Sequence, residues 1–309
     1  MQKWKKLGKI YCPSGKSEWQ HSHAMMPTVI VQNNRIEIYY STRDRQNQSR
    51  PSKLTLELDE KLGVKIVDLS ENPILNLGEL GMYDDAGVIA SCVVLEGQTI
   101  RMFYNGWTLG VKTPFTSFNG IAESYDNGET FDKLSSAPKA LNRNDVDPFS
   151  TFSPFVLKTD KKWHMWYVSL VKWEKVKNEV KHYYHIKYAY SNDGLSWIRE
   201  GQVCIDFKSK REYAIARPCV IYENNIFKMW FSYRGSINSE TYRIGYAESV
   251  DAKEWKRMDE NVSLSISKTG WDSEMVCYPY VFDYRGSRYM LYNGNNYGET
   301  GFGIAILER

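Results

Sequence analysis

Ile100-Arg-Met-Phe-Tyr104 is one of five versions of a single short string, and these strings determine how this 309-residue chain is interpreted. The other copies are Ile36-Glu-Ile-Tyr-Tyr40, Trp163-His-Met-Trp-Tyr167, Phe227-Lys-Met-Trp-Phe231 and Arg288-Tyr-Met-Leu-Tyr292. The central Met or Ile recurs every 61 to 64 residues. Such a period indicates a structural unit that is repeated along the whole chain.

Each copy has the same kind of neighbours. An apolar run led by Pro or Cys precedes it, as at Pro154-Phe-Val-Leu157, and a run such as Ile244-Gly-Tyr-Ala-Glu-Ser249 follows it. Short β-branched and aromatic runs separated by Gly, Asn and Asp are typical of strands and tight turns. Four strands in each of five units predict an all-β, five-bladed β-propeller with four antiparallel strands per blade.

The connection between the third and fourth strands also repeats, as in Ser191-Asn-Asp193-Gly194. An Asp side chain can accept hydrogen bonds from its own turn, so this element is interpreted as structural. The last unit lacks a fourth strand, and Trp4 matches Trp197 and Trp255 of the repeated turns. We therefore expect residues 1–11 to pair with the last blade and close the ring, which removes exposed strand edges.

The length and the charge of the chain bear on its domain number and on its partners. No Pro/Gly/Ser-rich linker divides the chain, so residues 1–309 are interpreted as one propeller domain. The formal charge is +3 with both signs interspersed, which predicts no nucleic-acid partner. No apolar run approaches the ~18 residues that span a bilayer, and the N-terminus lacks an apolar signal segment. We expect a cytoplasmic protein with no membrane span.

Metal-binding patterns are absent from the sequence. The five cysteines show no C-x-x-C spacing and are interpreted mostly as small buried hydrophobic residues: Cys12, Cys92, Cys204, Cys219 and Cys277. His21 and His23 lie two residues apart, without a third ligand nearby. The sequence therefore predicts no metal site and no cofactor.

Propeller geometry selects candidate binding residues. Residues just before the first strand and just after the second strand of each blade meet at one face, around the central pocket. Carboxylates, arginines, amides and aromatic rings collect there, and such a set suits sugars, which stack CH faces on rings and pair hydroxyls with polar groups. The predicted substrate-binding residues are His23, Arg43, Trp107, Asp147, Arg217, Arg234, Tyr278 and Asn295.

The chain combines five repeats, Ser-x-Asp-Gly-x-x-Trp turns and polar residues ahead of the first strands. In these features it resembles the five-bladed glycosidase superfamily. That superfamily includes glycoside hydrolase families 32, 43, 68 and 130, and the resemblance implies chemistry on a glycosidic bond. Families 32 and 43 carry a catalytic carboxylate on the innermost strands. Here the residues directly before the strand-leading positions are not acidic: Met26, Ser91, Ser153, Arg217 and Tyr278.

The nearest acids lie further upstream. Two-carboxylate hydrolysis needs one protonated carboxyl group and one ionised carboxylate. Asp85 precedes the small residues Ala86 and Gly87, so it is the candidate base, while the apolar sequence neighbours of Glu274 would raise its pKa and make it the candidate acid. Glu212 is the alternate acid. For each of them, a rim carboxylate paired with an arginine is the competing interpretation.

Three arginines, Arg43, Arg217 and Arg234, favour an anionic partner. Arg217 is expected on an innermost strand, where a guanidinium requires an anion. That anion is either a protein carboxylate such as Glu212 or a carboxylate or phosphate of the substrate.

Three functions remain open on this basis. The first is a glycosidase that acts on an oligosaccharide. The second is an enzyme for an anionic sugar, either of the sugar-phosphate type or sialidase-like with Tyr278 as a nucleophile, because the turn at 124–131 also resembles the Asp-box of sialidases. The third is a propeller that binds glycans without cleaving them.

Overall fold

The computed structural model describes residues 1–32, 34–59, 61–160, 162–177, 179–235 and 240–308. These residues form strands with one short helix, α1 (Asn295–Gly298), and one 3₁₀ turn at Asp259–Asn261. In chain order the strands are β1 Trp4–Tyr11, β2 Ser22–Gln32, β3 Arg35–Arg43, β4 Ser49–Leu58, β5 Val64–Leu69, β6 Gly87–Glu96, β7 Thr99–Leu109, β8 Phe115–Ser124, β9 Asp132–Lys133, β10 Thr151–Lys158, β11 Trp163–Val176, β12 Glu179–Ser191, β13 Val203–Ile205, β14 Ala214–Glu223, β15 Ile226–Arg234, β16 Arg243–Ser249, β17 Lys256–Arg257, β18 Cys277–Tyr284, β19 Ser287–Asn293 and β20 Phe302–Leu307. The predicted all-β class is confirmed.

Hydrogen bonding sorts the strands into antiparallel groups of four. Four groups are continuous in the chain, namely β2–β5, β6–β9, β10–β13 and β14–β17, and the last is formed by β18, β19, β20 and β1. One parallel pair, Ser49 with Gly87, joins the first group to the second, and Tyr184 with Ala214 joins the third to the fourth. The repeat in the sequence therefore corresponds to the four-stranded group.

The N-terminal strand completes the last group. β1 pairs antiparallel with β20, from Trp4 opposite Leu307 to Tyr11 opposite Phe302. The Trp4 ring packs edge-on against Trp230, with centroids 6.4 Å apart. Trp255 packs in the same way on Trp166, at 5.9 Å. Trp4 therefore occupies the position that the repeated turn gives to Trp255.

The repeated strings form the buried centre of the sheets. The side chains of Ile38, Met102, Met165, Met229 and Met290 are 0% exposed. Each lies on the second strand of its group and belongs to an apolar cluster. Because truncation of a buried Met or Ile to Ala typically costs about 2–5 kcal/mol, the period seen in the sequence reflects the packing requirement of the core.

The Ser-Asp turns are structural, as the sequence predicts. Asp193 Oδ1 accepts hydrogen bonds from the backbone N–H groups of Leu195 and Ser196, both at 2.8 Å. These donors hold the pKa of Asp193 below its ordinary value. Asp126 and Asp251 accept equivalent bonds from residues three or four positions further on.

A β-bulge interrupts the first strand of every group. The strand register shifts between Met25 and Thr28, Ala90 and Cys92, Phe152 and Phe155, Ala216 and Cys219, and Cys277 and Tyr280. In four of these bulges the residue before proline has a positive φ: Met26 at 53°, Ser153 at 44°, Arg217 at 55° and Tyr278 at 55°. A bulky residue rarely adopts such a φ, and a bulge changes the direction in which its side chain points.

Side chains from the neighbouring group satisfy the backbone at these bulges. Ser153 N–H donates to Asn105 Oδ1 at 2.8 Å, and Tyr278 N–H donates to Ser232 Oγ at 2.7 Å. Met26 N–H donates to Asn293 Oδ1 at 2.8 Å, so the last group makes the same contact with the first. We call these contacts the bulge caps. In these three cases the second strand of one group therefore helps to position the first strand of the next.

Candidate functional site: the central cavity

A cavity of about 470 Å³ lies where the first strands of all the groups converge. Its walls combine cationic, aromatic and amide side chains with apolar ones, and no Asp or Glu of the described chain lines it. The lining side chains with polar atoms are Arg43, Asn47, Asn105, Trp107, Ser117, Ser153, His182, Tyr184, Arg234, Tyr278 and Tyr297. The cavity therefore has positive charge and no acid of its own.

Arg234, at the end of β15, is held by neutral partners. Nη1 donates to Tyr297 Oη at 2.6 Å, and Nη2 donates to His182 Nε2 at 2.7 Å. The guanidinium also lies over the rings of Tyr213 and Tyr242, 4.9 and 4.8 Å from their centroids. Its Nε is buried without a hydrogen-bond partner in the described structure. One N–H of this cation therefore has no acceptor among the described residues.

His182, on β12, is a neutral acceptor for Arg234. Since arginine has only donors, the Nε2 atom of His182 carries no proton and Nδ1 carries it. Burial and the charge of Arg234 lower the pKa of His182 to about 4. Its ring stacks on Tyr184, with centroids 5.0 Å apart and planes 2° apart. This stack fixes the imidazole that orients the guanidinium.

Arg43, at the end of β3, is the second cation of the cavity. Nη1 donates to Asn47 Oδ1 at 2.9 Å, while Nε is buried without a partner among the described residues. Burial lowers the pKa of Arg43, although an arginine keeps its charge in proteins. Glu299 acts on Arg43 only from beyond ion-pair distance, and a desolvated cation without a paired carboxylate favours the binding of an anion.

Trp107, after the repeated string of β7, presents its ring rather than its N–H. Indole Nε1 donates to Ser49 Oγ at 2.8 Å, which satisfies the only donor of the ring. The side chain is half-buried and lines the cavity. An aromatic face that is fixed in this way suits stacking against the CH face of a sugar.

The two carboxylates predicted as a catalytic pair do not line the cavity. Asp85 is half-buried, and its Oδ2 accepts a hydrogen bond from Gly81 N–H at 2.9 Å. Glu274 has an exposed side chain and is held by its backbone, whose N–H donates to Asn295 Oδ1 at 2.8 Å. The apolar surroundings expected for the Glu274 carboxyl group are therefore not present, and the structure gives the pair no common site.

Glu212, the predicted alternate acid, is instead an internal ion-pair partner. Arg257 donates to both of its oxygens, from Nη1 at 2.8 Å and from Nη2 at 3.0 Å, and Lys208 N–H donates to Oε2 at 2.8 Å. The residue is only 5% exposed. Both of its oxygens are occupied by donors of the protein, so this prediction is corrected to a structural role.

Asp147, predicted to bind substrate, is also structural. It is 1% exposed and accepts hydrogen bonds from Tyr167 Oη at 2.8 Å and Ser169 Oγ at 2.6 Å. Lys187 and Arg199 pair with it at 3.1 and 2.9 Å. The prediction was wrong because a carboxylate just before a first strand can turn inward as easily as toward the cavity.

The contacts of Asp147 recur in other groups. Asp272 accepts from Tyr292 Oη at 3.0 Å and pairs with Lys6 at 2.6 Å. Asp84 pairs with Lys133 at 2.6 Å and lies 3.5 Å from Tyr104 Oη. In each of the three cases the tyrosine follows the aspartate by 20 residues. We call these carboxylates and Glu212 the loop clamps.

Arg217, predicted to bind an anion of the substrate, is 0% exposed and does not line the cavity. Its guanidinium donates to the backbone carbonyls of Ser91, Met26 and Pro27, the last at 2.8 Å. Burial lowers its pKa. The prediction of an anionic partner is corrected, because carbonyl oxygens from the first strands of two other groups solvate this cation.

His23 and Asn295 also lie outside the cavity lining. His23 Nδ1 is 2.9 Å from Ser22 Oγ, and burial together with Arg43 lowers the pKa of this histidine to about 4. Asn295 is 8% exposed, and its Oδ1 also accepts from Met275 N–H at 3.1 Å. Four predicted binding residues therefore line the cavity: Arg43, Trp107, Arg234 and Tyr278.

Sequence reasoning did not select His182, Tyr184 and Tyr297. The first two lie at the beginning of a third strand, which starts at the face where the second strand ends, so the same geometric rule extended by one strand would have found them. Tyr297 belongs to α1, where its φ of 60° is non-helical. No repeated pattern marks it, because α1 occurs only in the last group.

No group of three or more His, Cys, Asp or Glu side chains in the described ranges is arranged to hold a metal ion. Within the same ranges, no helix has the length and apolar character needed to cross a membrane.

The chain was compared with known proteins. It is 39% identical over 306 residues to the uncharacterized protein MT1551 of Mycobacterium tuberculosis (strain CDC 1551 / Oshkosh), covering 99% of both chains. It is 38% identical to the uncharacterized protein Rv1502 of Mycobacterium tuberculosis (strain ATCC 25618 / H37Rv), again covering 99% of both. No family model matches the chain.

Several solved structures with a similar fold are glycoside hydrolases. One, from a study of the GH130 family of mannoside phosphorylases and hydrolases that target β-1,2 mannosidic linkages, has a TM-score of 0.71 at 16% identity and covers 99% of this chain and 93% of its own. A thermostable family-43 glycoside hydrolase has a TM-score of 0.67 at 16% identity, with 95% and 90% covered. The fold is therefore similar to that of these glycoside hydrolases, and the chain belongs to the family of the two mycobacterial proteins.

Proposed function

We propose that this protein acts on carbohydrates and that its central cavity binds a sugar that carries a carboxylate or phosphate group. One observation carries the proposal: Arg43 and Arg234 each keep a buried Nε–H without a partner, in a cavity lined by no described acid. A carboxylate or phosphate accepts such bonds strongly. Trp107 supplies a ring for the sugar itself, and Asn105 and Asn47 supply amide groups for its hydroxyls.

The fold supports a function that involves carbohydrates, and the cavity favours binding of an anionic sugar over hydrolysis. Hydrolysis by two carboxylates is disfavoured, because acids of the described chain are missing from the lining. A tyrosine nucleophile of the sialidase type is disfavoured as well. Burial raises the pKa of Tyr278 well above its ordinary value, which keeps the phenol protonated and weakly nucleophilic at neutral pH. Recognition of an anionic sugar is the function that these residues favour.

We also propose that the strand groups form a closed, five-bladed propeller that makes residues 1–309 a single domain. The bulge cap from Asn293 to Met26 supports closure, because it repeats between the last and the first group the contact that joins other neighbours. Tyr280 Oη, on β18, also donates to the Val29 carbonyl of β2 at 3.0 Å. A cytoplasmic location stays a prediction, which cell fractionation would test.

Calorimetric titration with matched sugars tests the binding function. Uronic acids, sialic acid and sugar phosphates are compared with their neutral parent sugars, and we expect only the anionic members to bind. Arg234→Gln and Arg43→Gln should each weaken binding by about tenfold or more, the loss expected for one charge-assisted hydrogen bond. Glu274→Gln, outside the cavity, is the control and should bind normally. Equal affinity for neutral and anionic sugars would overturn the proposal.

Turnover of chromogenic glycosides tests the competing mechanism. If the wild-type protein turns over a glycoside and the Asp85→Asn and Glu274→Gln variants do not, the two-carboxylate mechanism is supported instead. If the wild-type protein binds anionic sugars and turns over none of the glycosides, the binding function alone is supported.

A further inference from the structure

One wall of the central cavity is apolar and continues to the surface. Phe115 and Phe152 line this wall, with ring centroids 5.9 Å apart. Leu109 and Pro114 line it nearer the opening, and Leu109 is 73% exposed. A binding site for a small polar sugar alone does not require an apolar strip that leads out of the pocket.

Two neighbouring hairpins carry this strip outward. Phe115, at the start of β8, packs edge-on against Trp173 of β11, with centroids 5.4 Å apart. This contact joins the tip of the β7–β8 hairpin to the β11–β12 hairpin. Beyond it the apolar side chains point into solvent, with Val111 105% exposed and Val176 43% exposed. We call Leu109, Val111, Val171 and Val176 the apolar rim.

Lysines surround the apolar rim. Lys112 lies on the first hairpin, and the segment from Lys172 to Lys181 contains four lysines and two glutamates. Glu174 pairs with Lys172 at 3.3 Å, which leaves the segment with a net positive charge. The equivalent connection between β3 and β4 reads Asp44-Arg-Gln-Asn-Gln48, without an apolar residue. The β3–β4 connection therefore lacks the combination of apolar and basic side chains that these two hairpins carry.

We propose that the anionic sugar is the headgroup of a lipid and that the apolar rim docks on a lipid surface. This inference rests on the proposed function, because the headgroup would bind to Arg43 and Arg234. The cavity arginines match the anionic headgroup of such a ligand, and the apolar rim matches its lipid part. Exposed apolar side chains enter the interface of a bilayer, and lysines beside them are attracted to anionic lipids. The strip from Phe115 to Leu109 then accommodates the first carbons of the lipid.

Co-sedimentation with vesicles tests the inference. Phosphatidylcholine vesicles are compared with vesicles that also contain phosphatidylinositol, whose headgroup combines a cyclitol with a phosphate, or phosphatidylserine at equal charge. We expect strong sedimentation only with phosphatidylinositol. The double variant Val111→Ser/Val176→Ser, outside the cavity lining, should partition about tenfold more weakly, because two apolar contacts with the interface are lost. Lys112→Glu/Lys175→Glu should partition about 25-fold more weakly, since each of the two lysines near an anionic surface contributes about fivefold.

Val250→Ser is the matched control. Val250 is 80% exposed at the far end of β16, away from the cavity. It should sediment like the wild type, and both rim variants should bind soluble anionic sugars normally. Rim variants that sediment like the wild type overturn the inference, as does equal binding of phosphatidylserine and phosphatidylinositol. If soluble anionic sugars bind and vesicles do not, the lipid inference fails alone; if Arg234→Gln binds every soluble sugar normally, the proposed function fails.

Discussion

The loop clamps and the central cavity both place charged side chains near the first strands, and they differ in how those charges are compensated. In the clamp of Asp147, two cations and two hydroxyl groups surround one carboxylate. In the cavity, Arg43 and Arg234 have only neutral partners among the described residues. The clamps recur from group to group, whereas the cavity arginines occur in only two of them. The carboxylates of the clamps are compensated by cations within the fold, whereas the two cavity arginines form no ion pair with a described carboxylate.

Removal of the N-terminal strand should have the largest effect on stability. A chain without residues 1–11 lacks the strand that pairs with β20, the Trp4 ring against Trp230 and the partner of Asp272. We expect loss of cooperative unfolding, or a fall in melting temperature of more than about 10 °C, measured by circular dichroism. If the truncated chain melts like the full one, β1 contributes nothing to the last group and the closure proposal fails.

Substitution of the clamp carboxylate Asp147 should cause the second-largest loss of stability. Asp147→Ala leaves Lys187 and Arg199 buried without their counter-charge and should lower the free energy of unfolding by about 3–5 kcal/mol. Urea denaturation provides the measurement. Asp145→Ala, at an exposed position two residues earlier, is the control and should change stability by less than about 0.5 kcal/mol. Equal midpoints for the two variants would show that the clamp is not stabilising.

Exchange of one arginine in each region compares the two directly. Arg199→Gln removes a clamp cation and should cost about 2–3 kcal/mol of stability, with anionic-sugar binding unchanged. Arg234→Gln should show the opposite: stability within about 1 kcal/mol of the wild type and sugar affinity at least about tenfold lower. Denaturation and calorimetry on the same two proteins give both numbers. If Arg234→Gln costs more stability than Arg199→Gln, the clamp arginine is not the one that stabilises the fold and the comparison between the two regions fails.

A smaller effect should appear on acidification. Burial lowers the pKa of His182 from 6.5 to about 4, and the pKa values of His23 and His164 are lowered similarly. Between pH 6.5 and 4 the unfolded chain binds protons at these sites that the folded protein does not, so the free energy of unfolding falls as the pH drops. His182→Asn should reduce this decline by about 1–2 kcal/mol in urea titrations at several pH values. A decline of unchanged size would exclude His182 as its source.

The sequence predicted the repeat and the position of the N-terminal strand because both depend on short-range pattern. Buried Met102 and Met165 must recur at the period of the sheets, and Trp4 must match Trp255 to pack in the same place. The site was predicted less well. The sequence shows which loop Asp147 occupies, but not that Lys187 and Arg199, 40 and 52 residues away, turn it inward.

The cavity arginines also show that the sequence does not give the direction of a side chain. Arg43 and Arg234 follow the repeated string by the same number of residues as Trp107 and Asn295, so these four copies of one repeat position carry three different kinds of side chain. Three of the four line the cavity, while Asn295 turns to the backbone of Glu274. Position in the repeat gives the location of a residue, and only the surrounding contacts give the direction of its side chain.

The pairing of β1 with β20 places the two ends of the described chain side by side, with Trp4 opposite Leu307. The order in which the strands are connected is therefore separable from their arrangement in space. A circular permutant that links the original ends and begins at Thr269, in the exposed segment before β18, would build every four-stranded group from continuous sequence. In such a chain, β1 would follow β20 directly, so the last group would form from local contacts instead of pairing strands from opposite ends of the sequence.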